Sequence, residues 1–337
     1  MTSQSWLWGG FAAVIFGMLV LDLGVFNRKA HVLRTKEAAA WSAAWVSLAV
    51  CFGVGVYFTL GRQPALEFAA GYLVEEALSV DNLFVFILLF SYFKVPEQLQ
   101  HRVLFWGILG ALVMRGVMIA AGAVLIERFH WIVYVFGAFL VFTGVRMGFQ
   151  REAEIDPEHN PVLRLVRRLV PVTSAFRGAK FFVREAPATG GAVRLYATPL
   201  FVVLVLVETT DLVFAVDSIP AIFGITRDPF LVYTSNVFAI LGLRSLFFLL
   251  SGVIAKFHYL RFGLAAVLAF VGIKMLVSGV YPIPVGVSLG TIATLLGASV
   301  VASMVWPKEP DVAVVDPARP LDRVGAPAGE PTEQPGA

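Results

Sequence analysis

Glu208-Thr-Thr-Asp211-Leu-Val-Phe-Ala-Val-Asp217-Ser218-Ile-Pro220 lies within an apolar run from Tyr196 to Ile222, and Glu75-Glu76-Ala-Leu-Ser-Val-Asp81-Asn82 lies within another, from Leu66 to Phe93. Each run reaches the roughly 20 residues that a helix needs to cross a bilayer. On insertion scales a carboxylate at the bilayer centre costs about 2.5–3.5 kcal/mol, so Glu75, Asp81, Glu208, Asp211 and Asp217 left uncompensated would cost roughly 12–17 kcal/mol. That rivals the stability of a whole domain, about 5–15 kcal/mol. Bound cations, protons or buried arginines must neutralise these groups, and the function is expected to lie in that choice.

Composition agrees. Apolar residues make up 58% of the 337 and charged residues 15%, against about 45–50% and 25% in soluble domains, which predicts an all-α integral membrane protein. The single cysteine, Cys51, excludes an intrachain disulfide and a thiolate metal cluster. The net charge of +3 carries no nucleic-acid signal, because the basic residues fall mainly in short loops, where they set topology.

Nine spans are predicted: Trp6–Phe26, Ala39–Leu60, Leu66–Phe93, Val103–Ile126, Trp131–Phe149, Tyr196–Ile222, Phe230–Ile254, Phe262–Val280 and Ile283–Val305. The first lacks a small-residue cleavage site and carries Asp22, so it is expected to stay in the mature protein. Arg28, Lys29, Arg34 and Lys36, then Lys94 and Arg102, then Arg164, Arg167, Arg168, Arg177, Lys180 and Arg184 follow spans 1, 3 and 5. By the positive-inside rule these loops are cytoplasmic, leaving the N-terminus outside and the C-terminus inside a cell inner membrane. The polytopic domain is thus 1–306, with a cytoplasmic loop at about 150–195. Residues 307–337, rich in Pro, Ala and Glu without periodicity, read as a disordered cytoplasmic tail.

The chain also repeats itself. Leu140-Val-Phe-Thr-Gly144-Val-Arg146-Met147 matches Leu268-Ala-Phe-Val-Gly272-Ile-Lys274-Met275, and Arg128-Phe129-His130 matches Lys256-Phe257-His258 at the same offset. Allowing small insertions, Ser79-Val-Asp81-Asn82 pairs with Ala215-Val-Asp217-Ser218, Glu75 with Asp211, and Arg115 with Arg244. The copies, spans 3–5 (about 66–149) and 6–8 (about 196–280), are offset by an odd number of spans and so must be inverted. A 3+3 inverted repeat with polar first helices is a transporter plan, its site near the midplane.

Helix geometry limits convergence. Glu208 and Asp211 share a face, but Glu75 and Asp81, like Asp211 and Asp217, are six residues apart and diverge by about 120° in a regular helix. Pro220 removes the bond to the Val216 carbonyl, so a break around Asp217–Pro220 could swing Asp217 inward. Carboxylates, the Asn82 amide, the hydroxyls of Ser79, Thr209 and Ser218 and freed carbonyls form an oxygen-only donor set, suited to manganese, magnesium or calcium. His31, His101, His130 and His258 fall near span boundaries and read as interfacial, with pH sensing or peripheral metal contact as the alternative.

The competing reading is structural. Arg115 and Arg244 also lie in apolar runs and could pair with the acids, although two arginines cannot neutralise five to seven carboxylates. Asp22 reads equally as a helix-end residue and as a site member. Glu76 points about 100° from Glu75, and Glu75 is preferred because its counterpart in the other copy is acidic. Arg146 and Lys274 are expected to snorkel.

Asp22-Leu-Gly-Val-Phe-Asn-Arg-Lys-Ala-His31, Glu75 through Phe86, Lys180-Phe-Phe-Val-Arg-Glu185, Glu208 through Ala221 and Tyr233-Thr-Ser-Asn-Val-Phe-Ala-Ile-Leu-Gly-Leu-Arg244 closely resemble the TerC family, especially its Alx-like branch. The resemblance runs from span 1 to about Met275. It implies a protein of the LysE-like transporter grouping, associated with manganese efflux, with metal delivery to exported enzymes and historically with tellurite resistance. The family's acidic positions map onto Glu75, Asp81, Glu208, Asp211 and Asp217, with Asn82 and Asp22 as companions. The expectation is a non-enzymatic divalent-cation transporter with manganese as the moved or bound ion, no permanently bound cofactor, and proton coupling. The alternative is a membrane scaffold that presents metal or partners to secretion or stress machinery through the basic Arg164–Arg184 loop. An intramembrane aspartyl protease is disfavoured, since neither Gly-x-Gly-Asp nor Tyr-Asp occurs.

Overall fold

A computed structural model of the chain describes residues 2–21, 35–149, 161–185, 193–251 and 259–306. Long helices form wherever the sequence offers long apolar runs: α1 (Thr2–Leu21), α2 (Thr35–Leu60), α3 (Arg62–Tyr92), α4 (Glu97–Arg128), α5 (Ile132–Phe149), α7 (Pro199–Phe223), α8 (Pro229–Leu250), α9 (Leu260–Val277) and α10 (Val285–Val305). In a bilayer a helix meets all its backbone hydrogen bonds internally, which is why the spans take this form. Seven of these helices are long and apolar enough to cross a membrane; α3, which carries Glu67, Glu75, Glu76 and Asp81, falls outside that set, and α1 contributes a shorter apolar stretch, Trp6–Met18.

The outward surface is apolar. Val113, Val117 and Phe142 are each more than 60% exposed, as expected of a protein solvated by lipid chains. Polar groups are kept inside. α8 is enclosed nearly all round, against α2, α3 and α4, and buries Thr234, Ser235, Asn236 and Arg244. α4 and α7 run parallel, since Gly107 faces Val207 and, further along both helices, Gly122 faces Phe223.

α5 and α9 pack along one another through glycine. A Cβ on Gly144 would stand 2.7 Å from the Ala265 carbonyl oxygen and 2.8 Å from the Ala269 nitrogen. A Cβ on Gly272 would stand 2.6 Å from the Gly137 carbonyl oxygen and 2.8 Å from the Val141 nitrogen. Residues late in each helix meet residues early in the other, so the pair is antiparallel. Gly144 and Gly272 are equivalent in the sequence repeat; Gly137 and Ala265, and Val141 and Ala269, stand at that same spacing. The contact therefore exchanges into itself when the copies are swapped.

The loop between the copies contains structure that the sequence pattern did not reveal. It holds a short helix, α6 (Pro161–Leu169), and an antiparallel hairpin, β1 (Phe182–Glu185) with β2 (Arg194–Ala197), pairing Phe182 with Ala197 and Glu185 with Arg194. Span 6 accordingly starts at Pro199 and not at Tyr196, which lies in β2. Arg177 donates to Glu185 at 2.6 Å, which holds the Glu185 carboxyl below its ordinary range and raises Arg177. A second correction concerns α7, which continues through Pro220 to Phe223 without the expected break. Pro220 sits in the last turn, where little helix remains to be disrupted, and neighbouring helices in a bundle help a span absorb such a proline.

Candidate functional site

Four helices deliver polar side chains to one point. From α4, Arg115 reaches into the bundle and is 1% exposed. Its Nε donates to Asp211 Oδ2 at 3.1 Å and its Nη2 to Asp211 Oδ1 at 2.8 Å, the two-pronged geometry that suits guanidinium to carboxylate. Its Nη1 donates to Glu75 of α3, and also approaches Ser218 Oγ of α7 and Asn236 Oδ1 of α8, both at 3.3 Å. Glu75 is fully buried and Asp211 nearly so. One arginine thus joins the equivalent acids of the two sequence repeats.

The cluster is not closed. Beside it lies a narrow cavity lined by Ser79, Asn82, Gly107, Ala111, Arg115 and Asp211, among others. Ser79 Oγ, Asn82 Oδ1, Glu75 Oε2 and Asn236 Nδ2 are buried and have no hydrogen-bond partner among the described residues. Glu75, Ser79 and Asn82 are four and then three residues apart, which places them on one face of α3. An unpaired buried acceptor costs about 1–3 kcal/mol. Three such oxygens on the cluster's face of α3 are the donor chemistry of a hard cation, and every oxygen there comes from a carboxylate, hydroxyl or amide.

The seven residues expected to ligate metal are thus sorted. Glu75, Asp211 and Asn82 meet at the cluster and its cavity. Asp217 instead accepts a hydrogen bond from Thr143 of α5 at 3.3 Å, on a different side of α7, and Asp81 lies within electrostatic reach of Arg261. The divergence of residues six apart is what the helix period requires. Glu208 is half-buried beside Gly110 of α4. Asp22 lies outside the described residues, as do His31 and His258. Among the described residues no three His, Cys, Asp or Glu side chains stand in a ligating arrangement, so carboxylates alone do not make the site. Arg244, the repeat counterpart of Arg115, faces His101, with Nη2 at 2.6 Å from Nε2. Lys274 does not snorkel: it is 8% exposed, within electrostatic reach of Glu67.

Comparison with known proteins bears on what such a cluster serves. The model of the integral membrane protein TerC family matches residues 60–310. The chain belongs to the TerC family. This span takes in every residue of the Arg115 cluster. An uncharacterised membrane protein of Myxococcus xanthus is 55% identical over 299 residues, covering 89% of this chain and 92% of the relative. A protein of Escherichia coli strain K12 named Alx, whose name describes a candidate membrane-bound redox modulator, is 50% identical over 299 residues, covering 86% and 91%. A membrane protein of Rickettsia bellii is 41% identical over 298 residues, covering 88% and 97%. No solved structure matches the chain.

One participant in this site, Asn236, and one residue that holds Asp217 away from it, Thr143, escaped the sequence reading. Asn236 was visible only as part of the polar string Thr234-Ser235-Asn236 inside an apolar span, a signal that could have singled it out. Thr143 carries no such mark, since its partner Asp217 is 74 residues away on another helix.

Proposed function

We propose that this protein exports a divalent cation, manganese in the first instance, through the cavity beside Arg115. The observation that carries the reading is the buried convergence of Glu75 and Asp211, one from each repeat, next to the unpaired oxygens of Ser79 and Asn82. Soft metals are disfavoured by the oxygen-only donors. The single cysteine leaves no dithiol within one chain to cycle between redox states, so a redox effect of the kind the Alx name suggests would follow indirectly from metal homeostasis. The reading involves no bond-making chemistry and no permanent cofactor; tellurite resistance would be a further consequence of altered ion balance.

The finer architecture belongs to the same proposal. α1 and α3 join the seven apolar helices to give nine spans, α3 being tolerated because its acids face inward. α3–α5 and α7–α9 form an inverted repeat, supported by the antiparallel, self-exchanging glycine contact between α5 and α9. The basic loop holding α6 and the hairpin lies on the cytoplasmic side of the inner membrane, with the N-terminus outside and the C-terminus inside.

Purified protein in liposomes tests the reading. Manganese flux that depends on Glu75 and Asp211 is expected, since liposomes hold no secretion or stress partners. Absence of flux from well-folded protein, together with retained binding of a partner to the basic loop in cells, would favour the scaffold alternative.

A further inference from the structure

The cavity beside Arg115 extends to one side of the cluster only. Its described lining residues follow Glu75 on α3, from Ser79 to Phe86, and follow Asn236 on α8, at Ile240 and Leu243; on α4 they run from Leu104 up to Arg115, and on α7 from Val207 up to Asp211. α3 and α8 run together, since Gly71 faces Ser235 and Phe90 faces Phe247. α7 runs against them, since Gly71 also meets Ile222 late in α7 while Phe86 shares the cavity with Val207 nearer its start, and α4 lies parallel to α7. All four lining stretches therefore lie at one end of the bundle, the end of Lys94, Arg102 and the basic loop.

The opposite end is packed shut. A Cβ on Gly71 would stand 3.0 Å from Ser235 Oγ, one on Gly122 2.9 Å from the Phe223 ring, and one on Gly224 2.5 Å from Val271. Val74, Ile119, Ile222 and Phe223 fill the space between, each at most 4% exposed. Gly71 stands four residues before Glu75 as Val207 stands four before Asp211. Yet Val207 lines the cavity and Gly71 is closed against Ser235 and Ile222, so counterpart positions of the sequence repeat are in opposite conditions.

A polar contact ties this closed end. Glu67 of α3 accepts from Thr226 Oγ1 at 2.5 Å and from Gln63 Nε2 at 3.0 Å. Lys274 of α9, 8% exposed, lies within electrostatic reach of the same carboxylate. Thr226 belongs to the link between α7 and α8, so Glu67 joins α3 to two separate points of the second copy. An apolar contact in that place would be left bare whenever the end opened. A carboxylate, a hydroxyl and an ammonium satisfy one another when it is shut and water when it is open, which keeps the cost small in both conditions.

We propose that the structure is the conformation whose site faces the basic-loop end, and that Glu67, Thr226 and Lys274 form the latch that holds the other end shut until α3 parts from the α7–α8 link and α9. This deepens the cation-export reading, on which the latch's part in transport rests.

Thiol labelling of the purified full chain in nanodiscs, which expose both faces to reagent, tests the latch without any cargo. In a C51A background L243C, in the cavity, should react with a small charged methanethiosulfonate faster than I222C, in the closed half. T226V, which removes one hydrogen bond to a charged group, should raise I222C reactivity about tenfold and lower that of L243C, whereas T226S should leave both unchanged. K274Q should act in the direction of T226V. Opposite movement of the two reporters marks a shift between conformations; a rise in both would mark general loosening and overturn the latch, as would no change in either. If T226V does not fold, E67C/T226C bridged by a short bifunctional methanethiosulfonate serves: manganese flux in liposomes should be lost on bridging and return on reduction, and undiminished flux through the bridged protein would overturn the inference. Wild-type protein that moves neither manganese, magnesium nor calcium would remove the export reading, while the labelling result would still decide the latch.

Discussion

Replacing Gly144 or Gly272 by alanine should damage the α5–α9 seam equally, and the two changes together should cost less than their sum. The nearest backbone atoms stand 2.7 Å from the added Cβ at Gly144 and 2.6 Å at Gly272, so reaching ordinary contact at 3.4 Å requires about 0.7 Å and 0.8 Å of separation. Those neighbours are backbone, which cannot rotate away as a side chain would. A gap of 0.5–1 Å forfeits a quarter to a half of each dispersion contact along the opened seam, and overpacking of this kind costs about 1–3 kcal/mol. Once one alanine has pushed the helices apart, the second finds its space already made, so the double variant should fall short of additivity by about 1 kcal/mol or more. Reversible unfolding in mild detergent or bicelles measures all three variants. A neutral G272A beside a damaging G144A would refute the two-fold relation of the contact; full additivity would refute the idea that one rigid separation relieves both clashes.

Three further outcomes are expected. Asp211→Asn, which breaks the two-pronged bond and leaves an Arg115 donor without an acceptor, should destabilise the protein by about 1–3 kcal/mol, whereas Asp217→Asn, which keeps the Thr143 contact, should cost less; comparison of unfolding midpoints decides it. A cysteine placed at Arg227, in a C51A background, should react with an impermeant reagent applied outside intact cells, and one at Arg177 should not; the reverse pattern would overturn the proposed orientation. Because ligands must be ionised to hold a metal, cation entry should release protons, so liposomes carrying a pH-sensitive dye should report proton movement opposite to manganese, increasing as the cytoplasmic face is made alkaline. Manganese flux without a proton signal would reduce the protein to a uniporter.

The seven long apolar helices were legible because hydrophobic length is a property of each segment alone, and they follow it to within a few residues at most of their described ends. The hairpin Phe182–Glu185 with Arg194–Ala197 was not, because four-residue strands in a basic loop leave too short a pattern to separate from turn. The site was partly legible. The helix period already required Asp81 and Asp217 to point away from Glu75 and Asp211, and they do. What the sequence could not assign was which charge neutralises which: Arg115 and Arg244 look alike as repeat counterparts, yet Arg115 lies between the acids and Arg244 beside His101.

That asymmetry is what the proposed inverted repeat would require. Glu75 and Asp211, counterparts in the sequence repeat, converge on one guanidinium. A single arginine can fill that position, and it must come from one copy; its counterpart has to find another partner, which for Arg244 includes His101.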